Sequence, residues 1–273
     1  MNLCDRETIA RICKKYGFQA SKGLGQNFLI DPAVPRRIAE TVPEGYGALE
    51  IGPGLGCLTV ELARRAAKVA AVELDRALLP VLAETVPQQN VTVVHGDFMK
   101  LSVPELLAEH LPGLPVAVAA NLPYYITTPI VMKLLESPVE QVTVMVQKEV
   151  ARRLCAPPGG DESGAITLAV AWRAKAEYLF EVPAASFWPA PKVDSAVVKL
   201  TLRQPPVAVQ DEALMFRLIK AGFAQRRKTL TNALKSAGYD PATAASLPAG
   251  IRAERLTLAQ WAALADAYRA AQA

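Results

Sequence analysis

The residues of this chain best suited to chemistry are Asn121-Leu122-Pro123-Tyr124, which follow an apolar run at 115–120. The exocyclic amine of an aromatic base such as adenine is a poor nucleophile, because its lone pair is delocalised into the ring. Pro123 favours an extended conformation of Leu122 and leaves the Leu122 carbonyl oxygen free. The Asn121 side-chain oxygen and this carbonyl oxygen can each accept one N–H hydrogen bond from such an amine. Two acceptors outside the ring plane favour a tetrahedral nitrogen whose lone pair points at an electrophile, and Tyr124 can stack on the base. The same four residues would also suit a strand followed by an ordinary turn.

A second candidate site is the glycine-rich stretch Glu50–Gly56 (EIGPGLG), which lies between a β-rich run and a helical pattern. This is the context of a nucleotide-binding turn. Glu73 ends the next β-rich run, 21 positions after Gly52, where a carboxylate can accept hydrogen bonds from both ribose hydroxyls. A dinucleotide fold would need a further glycine where this chain has Cys57. With Asp97 after the third run, placed to meet an adenine amine, S-adenosylmethionine fits the pattern better than NAD.

These candidate residues follow short β-rich runs that alternate with helical patterns from residue 48 onward. The alternation is typical of a parallel sheet covered by helices on both faces, whose ligands bind at the carboxyl ends of the strands. Two later β-rich runs without a full helix between them predict an antiparallel edge. Predicted strands are 48–51, 69–72, 91–94, 116–120, 142–146, 166–179 and 195–202, and predicted helices between them are 58–65, 77–85, 104–110 and 129–135.

The chain is predicted to contain two domains. Residues 1–204 form the sheet domain with a polar, helical N-terminal extension, in which Asp31-Pro32 is expected to begin a helix at 33–41. Gln204-Pro205-Pro206 marks the boundary to a small all-α domain at 205–273, with helices predicted at 212–234 and 258–270.

The net charge of +4 belongs entirely to the second domain. Residues 205–273 hold nine Lys and Arg against five acids, whereas the first 204 residues hold 21 of each. This suggests a polyanionic partner, although an ordinary solvated helical face would carry a similar excess. The cluster Arg226-Arg227-Lys228 is the candidate for contact with a nucleic acid backbone.

The composition excludes several other classes of protein. Hydrophobic residues make up 51% of the 273, which is enough for a full core and argues against disorder. No apolar run approaches the roughly 18 residues of a membrane span, and the first 15 residues are too charged for a signal peptide, so we expect a cytoplasmic protein. The four cysteines and two histidines have neither metal-ligand nor CxxC spacing, so neither a metal nor a disulfide framework is expected.

A methyl donor beside an acceptor site for an aromatic amine predicts methyl transfer to adenine or a similar base. A general base of raised pKa is not required, because the sulfonium is an activated leaving group and the methylated aminium loses its proton to water. Catalysis would depend on orientation and electrostatic complementarity. Since a paired base cannot enter such a site, the target must be single-stranded or flipped out.

The chain as a whole resembles the small-subunit ribosomal RNA adenine dimethyltransferases. The resemblance extends over nearly the whole chain, with the motifs in family order. The segments that carry it are Gly25–Leu29 (GQNFL), Glu50–Gly56 (EIGPGLG), Glu73–Asp75 (ELD), Gly96–Asp97, Asn121–Tyr124 (NLPY), Gln147–Val150 (QKEV), Phe187–Ser195 (FWPAPKVDS) and Phe223–Lys228 (FAQRRK).

The resemblance implies a Rossmann-like class I methyltransferase sheet and N6,N6-dimethylation of two adjacent adenosines near the 3′ end of small-subunit (16S) rRNA. The expected partner is this rRNA within an immature 30S particle, bound by a monomer acting in ribosome biogenesis. Tyr124 and Phe187 are implied to enclose the target adenine, although Phe187 alone would be assigned to the core. The residues implied to bind S-adenosylmethionine are Asn27, Leu29, Gly52, Gly54, Glu73, Asp97 and Asn121.

Two alternative functions stay open at this point. A large-subunit rRNA adenine methyltransferase of the antibiotic-resistance type shares the Asn-x-Pro-Tyr pattern, although Leu122 and the stretch at 187–195 favour the small subunit. The other alternative is a non-enzymatic rRNA-binding assembly factor built on a methyltransferase scaffold. The intact cofactor and acceptor residues argue against that second alternative.

Overall fold

The computed structural model of the protein describes residues 1–18, 25–225, 227–244 and 246–271. Its strands are β1 (Phe28–Leu29), β2 (Gly47–Ile51), β3 (Lys68–Glu73), β4 (Val91–His95), β5 (Val116–Asn121), β6 (Gln141–Gln147), β7 (Ala174–Val182), β8 (Phe187–Trp188) and β9 (Ser195–Leu202). Its α-helices are α1 (Arg6–Tyr16), α2 (Ala33–Ala39), α3 (Cys57–Ala63), α4 (Leu79–Thr85), α5 (Val103–His110), α6 (Thr127–Leu135), α7 (Lys148–Cys155), α8 (Ala165–Arg173), α9 (Glu212–Ala224), α10 (Leu230–Ser236) and α11 (Leu258–Ala270). Short 3₁₀ turns lie at Arg76–Leu78, Tyr124–Ile126, Ala184–Ser186, Pro241–Ala244 and Ala253–Arg255.

Seven of the strands form one sheet in the order β4-β3-β2-β5-β6-β9-β7. The neighbours from β4 to β6 are parallel, and β9 runs antiparallel to β6, so the predicted parallel sheet with an antiparallel edge is confirmed. Every residue of β2 is buried, as is every residue of β5 before Asn121. Strands buried on both faces read as continuous apolar runs, which is why the sequence located them within one or two residues.

A second, two-stranded sheet pairs β1 with β8, and it was absent from the predicted elements. Leu29 lies opposite Phe187, and Phe28 lies opposite Trp188. Each strand has only two residues, which is too short for a periodic pattern to be recognised. The pairing joins the N-terminal extension to a segment about 160 residues later in the chain.

The chain divides into two compact units, residues 1–151 with 177–202 and residues 152–176 with 203–273. The single boundary predicted after residue 204 is therefore wrong for residues 152–176. Helix α8 lies in the second unit, where Leu168 and Trp172 pack into one hydrophobic core with buried side chains of α9, α10 and α11.

The strand predicted at 166–179 is wrong in its first half, which is helix α8. Ile166, Leu168, Val170 and Trp172 alternate with smaller residues and imitate the period of a strand. In the structure, consecutive residues at 167–170 are all buried, so this segment is a helix surrounded by protein. The strand β7 begins only at Ala174.

Three predicted helices also end earlier than expected, and one of them, predicted at 58–65, ends at Ala63. The helix predicted at 33–41 ends at Ala39, where the Thr41 hydroxyl donates to the Ile38 carbonyl oxygen at 2.7 Å. The helix predicted at 212–234 is two helices, because Thr229 caps α10 by accepting from the Asn232 N–H at 3.4 Å. Helix α11 has the predicted bounds. Within the described ranges, no helix combines the length and the apolar character of a transmembrane span.

Candidate active site

The carboxyl ends of β2 and β5 lie side by side at the centre of the first unit. Chain order reverses between these two strands, and in open parallel sheets this is where ligands bind. One cavity opens there, and all ten residues predicted to hold the cofactor or the target base line it. They are Asn27, Leu29, Gly52, Gly54, Glu73, Asp97, Asn121, Leu122, Tyr124 and Phe187.

The glycine-rich turn after β2 is attached to the end of β3 through Glu73. The Gly54 N–H donates to Glu73 Oε2 at 3.1 Å, and the Asp75 N–H donates to Oε1 at 2.8 Å. Gly52 and Gly54 have φ of +70° and +60°, a left-handed conformation that side-chain-bearing residues rarely adopt. Glu73 is 5% exposed, and its burial raises the pKa of the carboxyl while the two N–H donors partly offset the shift.

Glu50 also lines the cavity, and the sequence placed it in the glycine-rich stretch without indicating a role for its side chain. It is 1% exposed within β2, and its Oε2 has no hydrogen-bond partner among the described residues. Burial raises the pKa of this carboxyl to about 8, and the nearby Glu73 adds to the shift. The available signal was an acid inside an otherwise apolar strand, since buried carboxyls in such strands are rare.

The loop after β4 contains Asp97, whose side chain is partly used within the loop. Asp97 Oδ1 accepts from the Met99 N–H at 3.0 Å, and the Lys100 ammonium lies 3.7 Å from Oδ2. Lys133 on α6 donates to the carbonyl oxygens of Phe98, Met99 and Leu101 at 2.8, 3.0 and 2.6 Å. Lys133 therefore fixes the shape of this loop, and no local sequence signal identified it, because its partners are 32 to 35 positions away.

The two predicted amine acceptors are available at the end of β5. Asn121 pairs with Met145 through the strand backbone, and its side-chain amide makes no hydrogen bond to any residue in the described parts of the chain. The Leu122 N–H donates to the Met145 carbonyl oxygen at 3.1 Å. The Leu122 carbonyl oxygen accepts no hydrogen bond from the described residues, and Pro123 after it has no N–H.

The two predicted stacking residues differ in their surroundings. Tyr124 is half-buried, and its hydroxyl is hydrogen-bonded to the Ser195 hydroxyl at 2.7 Å. Phe187 is 2% exposed and lies opposite Leu29 in the β1–β8 pair. Phe187 therefore belongs both to the core and to the cavity wall, so the two assignments that the sequence left open are compatible.

The remaining predicted residues are placed as follows. The Asn27 side-chain amide donates to the Gly25 carbonyl oxygen at 3.2 Å. Arg227 and Lys228 are exposed in the second unit, where Lys228 Nζ donates to the Ser236 hydroxyl at 3.5 Å, and neither lines the cavity. Arg226 lies outside the described residues. Contact of this basic cluster with RNA stays a prediction.

Comparison with known proteins finds similarity to ribosomal RNA methyltransferases by sequence family and by individual relatives. The family model described as ribosomal RNA adenine dimethylase matches residues 17–269. The "Ribosomal RNA small subunit methyltransferase A" of Geobacillus sp. (strain WCH70) is 44% identical, covering 94% of each chain. The protein of the same name from Bacillus licheniformis is 51% identical over 230 residues, covering 82% of this chain and 79% of that one.

Solved structures with similar folds include an rRNA methyltransferase and a dimethyladenosine transferase. The 23S rRNA methyltransferase ErmE superposes with a TM-score of 0.66 at 28% identity, covering 89% of this chain and all of that one. A dimethyladenosine transferase from Plasmodium falciparum superposes with a TM-score of 0.67 at 25% identity, covering 86% of this chain and 95% of that one.

The buried Glu50 carboxyl predicts a pH dependence of stability in the protein without cofactor. Its ordinary pKa is near 4.5 and its folded-state pKa is about 8, so between these values the folded state holds a proton that the unfolded state has lost. Folding stability therefore falls as pH rises through this window. Glu50→Gln removes the titrating group, so its melting temperature should rise relative to wild type as pH increases from about 5 to 8.

Thermal unfolding at closely spaced pH values measures this difference. Glu105→Gln, which removes an exposed carboxylate on α5, controls for the loss of one charge and should follow the wild-type curve. A difference between Glu50→Gln and wild type that stays constant across the window would contradict the prediction.

Proposed function

The chain belongs to the ribosomal RNA adenine dimethylase family, and we propose that it dimethylates N6 of two adjacent adenosines near the 3′ end of small-subunit (16S) rRNA. It is a methyltransferase that uses S-adenosylmethionine. The observation that carries the proposal is the single cavity shared by the ten predicted cofactor and acceptor residues. Identity to small-subunit enzymes is higher than identity to the 23S enzyme, which supports the small subunit over the large.

The cavity suits S-adenosylmethionine, which is positively charged at its sulfur and its amine. Glu50, Glu73 and Asp97 line the cavity, and Glu50 Oε2 has no partner in the described part of the chain. Each Glu73 oxygen accepts one backbone N–H and retains a lone pair for a ribose hydroxyl. We assign cofactor binding to Asn27, Leu29, Gly52, Gly54, Glu73, Asp97 and Asn121. When bound, the cofactor supplies an activated methyl group on its sulfonium.

The acceptor residues would activate the adenine amine by orienting it. Asn121 Oδ1 and the Leu122 carbonyl oxygen each accept one amine N–H, which favours a tetrahedral nitrogen with its lone pair towards the methyl group. Tyr124 and Phe187 stack on the base and hold its plane. The aminium produced loses its proton to water, so the reaction depends on orientation and on electrostatic complementarity.

The proposal also assigns a role to each compact unit and a partner to the protein. We assign methyl transfer to the first compact unit and rRNA backbone contact to the second, through Arg226, Arg227 and Lys228. The protein would act as a monomer on an immature 30S particle, in the cytoplasm, as part of ribosome biogenesis. The available acceptors at Asn121 and Leu122 support an enzyme over a non-enzymatic assembly factor.

Methyl transfer to separated substrates tests this proposal. The protein is incubated with radiolabelled S-adenosylmethionine and, in separate reactions, with unmethylated 30S particles, with 50S particles and with DNA. We expect label in 30S alone, recovered as N6,N6-dimethyladenosine after digestion of the rRNA. Label in 50S alone would support the large-subunit alternative, and no label in any substrate would support the non-enzymatic one.

Asn121→Ala should lower the methyl-transfer rate about a hundredfold at saturating cofactor, because the amine loses one of its two orienting acceptors. Binding of 30S particles should be retained, since Asn121 does not contact the polyanion. Asn90→Ala is the matched control, because the Asn90 amide donates to the Ala63 and Ala66 carbonyl oxygens at 2.9 and 3.2 Å, away from the cavity. The control should lower the melting temperature and keep the rate. A wild-type rate in Asn121→Ala would disprove the role in amine activation.

Replacing Arg227 and Lys228 with alanine should weaken RNA binding in a salt-dependent way. Each lost phosphate contact should reduce the slope of log affinity against log salt by about 0.7 to 0.9. Binding of S-adenosylmethionine should stay unchanged. Replacing Lys14 and Lys68 with alanine, which removes two exposed cations of the first unit, controls for the change in net charge. A wild-type salt slope together with a lowered melting temperature would assign the two cations to structure instead.

A further inference from the structure

Tyr124 and Ser195 form an isolated pair of hydroxyl groups beside the acceptor site. Their oxygens are 2.7 Å apart, although the two residues are 71 positions apart in the chain. Ser195 is fully buried at the first position of β9, and Tyr124 is half-buried. Neither hydroxyl has another hydrogen-bond partner among the described residues, so each satisfies the other.

The backbone around Tyr124 is restrained, but that restraint does not reach the phenol. The Pro123 carbonyl oxygen accepts from the Ile126 N–H at 3.2 Å and from the Thr127 hydroxyl at 3.1 Å, which fixes the short turn. The tyrosine ring lies beyond two further rotatable bonds. The hydrogen bond at the phenolic oxygen is therefore the polar contact that fixes the direction of the long axis of the ring.

Ser195 is a rigid anchor because the pairing of β9 with β6 holds its backbone. It lies opposite Gln147, at the end of a ladder of seven antiparallel residue pairs between β6 and β9. The Lys148 N–H donates to the Asp194 carbonyl oxygen at 3.0 Å, which extends the pairing beyond Ser195. Strand β6 also pairs with β5, where Met145 lies opposite Asn121. The Tyr124 anchor and the Asn121 acceptor are thus fixed to the same three strands.

We propose that Ser195 is a positioning residue for methyl transfer, which holds the phenolic end of the Tyr124 side chain and so fixes the direction of the ring on which the adenine stacks. This inference rests on the proposed function, in which the target adenine stacks on Tyr124. The plane of the base sets where its amine lies relative to Asn121 Oδ1 and the Leu122 carbonyl oxygen. A tilt of the ring moves the amine away from both acceptors, and displacements of about 1 Å can cost a hundredfold in rate.

The protonation state of Tyr124 agrees with a positioning role. Burial raises the pKa of the phenol, and the charge of Asp194 adds to the shift. The Asp194 carboxylate itself accepts from the Ala184 N–H at 2.9 Å. The phenol therefore stays neutral through the physiological pH range, so Tyr124 supplies a ring and a hydroxyl and does not act as a base.

A double-mutant cycle tests the proposal. Single-turnover methylation of unmethylated 30S particles is measured at saturating cofactor for wild type, Ser195→Ala, Tyr124→Phe and the double variant. Each single variant should be about tenfold slower, since each removes the same hydrogen bond and leaves the ring free to tilt. The double variant should be no slower than the slower single variant, because the second deletion removes nothing further. Affinity for S-adenosylmethionine should be unchanged in all four proteins.

Thr143→Val separates positioning from stability. The Thr143 hydroxyl is fully buried on β6 and is paired with the Thr41 hydroxyl at 2.8 Å, and Thr143 does not line the cavity. Loss of this second hydroxyl pair should lower the melting temperature and leave the methylation rate unchanged. If Ser195 only stabilised the fold, Thr143→Val and Ser195→Ala proteins with the same melting temperature would lose the same fraction of the methylation rate.

Four results would overturn the inference: a wild-type rate in Ser195→Ala, a wild-type rate in Tyr124→Phe, losses that multiply in the double variant, or equal losses in Thr143→Val and Ser195→Ala. If Ser195→Ala does not fold, Tyr124→Phe decides the question, because it removes one oxygen atom and keeps the ring. If the wild-type protein fails to methylate 30S particles, the proposed function itself is rejected. If the wild type is active and Ser195→Ala is equally active, only the positioning role of Ser195 is rejected.

Discussion

The parallel pairing of β2 with β5 is the constraint on which the rest of the structure depends. Residues 47–50 pair in register with residues 116–119, so two segments about 70 positions apart end at the same edge of the sheet. Strand β3 continues outward from β2, and β6 continues outward from β5. Loops leaving the two central strands therefore diverge, and a cavity opens between the glycine-rich turn and Asn121.

The cavity contains buried polar groups whose incomplete hydrogen bonding lowers the stability of the folded protein and leaves them able to bind a ligand. Glu50 and Glu73 are buried carboxyls with raised pKa values, and burying carboxyl groups without full compensation is unfavourable. A cofactor with two positive charges would supply that compensation. The same holds on the acceptor side, where the Leu122 carbonyl oxygen has no hydrogen-bond donor among the described residues. Unsatisfied groups of this kind are concentrated at functional sites.

Under the proposed function, three adjacent strands would hold the residues that orient the acceptor base. Strand β5 ends in Asn121, β6 joins β5 to β9, and β9 begins with Ser195. A sheet is stiffer than a loop, so side chains at its edge keep fixed distances from one another. Orientation is the principal catalytic contribution open to a protein that methylates an amine without a general base.

The sequence by itself determined the central strands and which candidate functional residues lie at their ends. Buried parallel strands appear in the sequence as continuous apolar runs. The carboxyl ends of such strands lie at one edge of the sheet, where ligands bind, so Glu73 and Asn121 could be placed near each other from the sequence alone. Resemblance to a family added Phe187, which the residues alone would have assigned to the core. Tertiary structure alone decided the contacts of Lys133 and Ser195 and the helical state of residues 165–173. The physical reason is that these features depend on partners far along the chain, and local periodicity carries no information about which distant groups a side chain will meet.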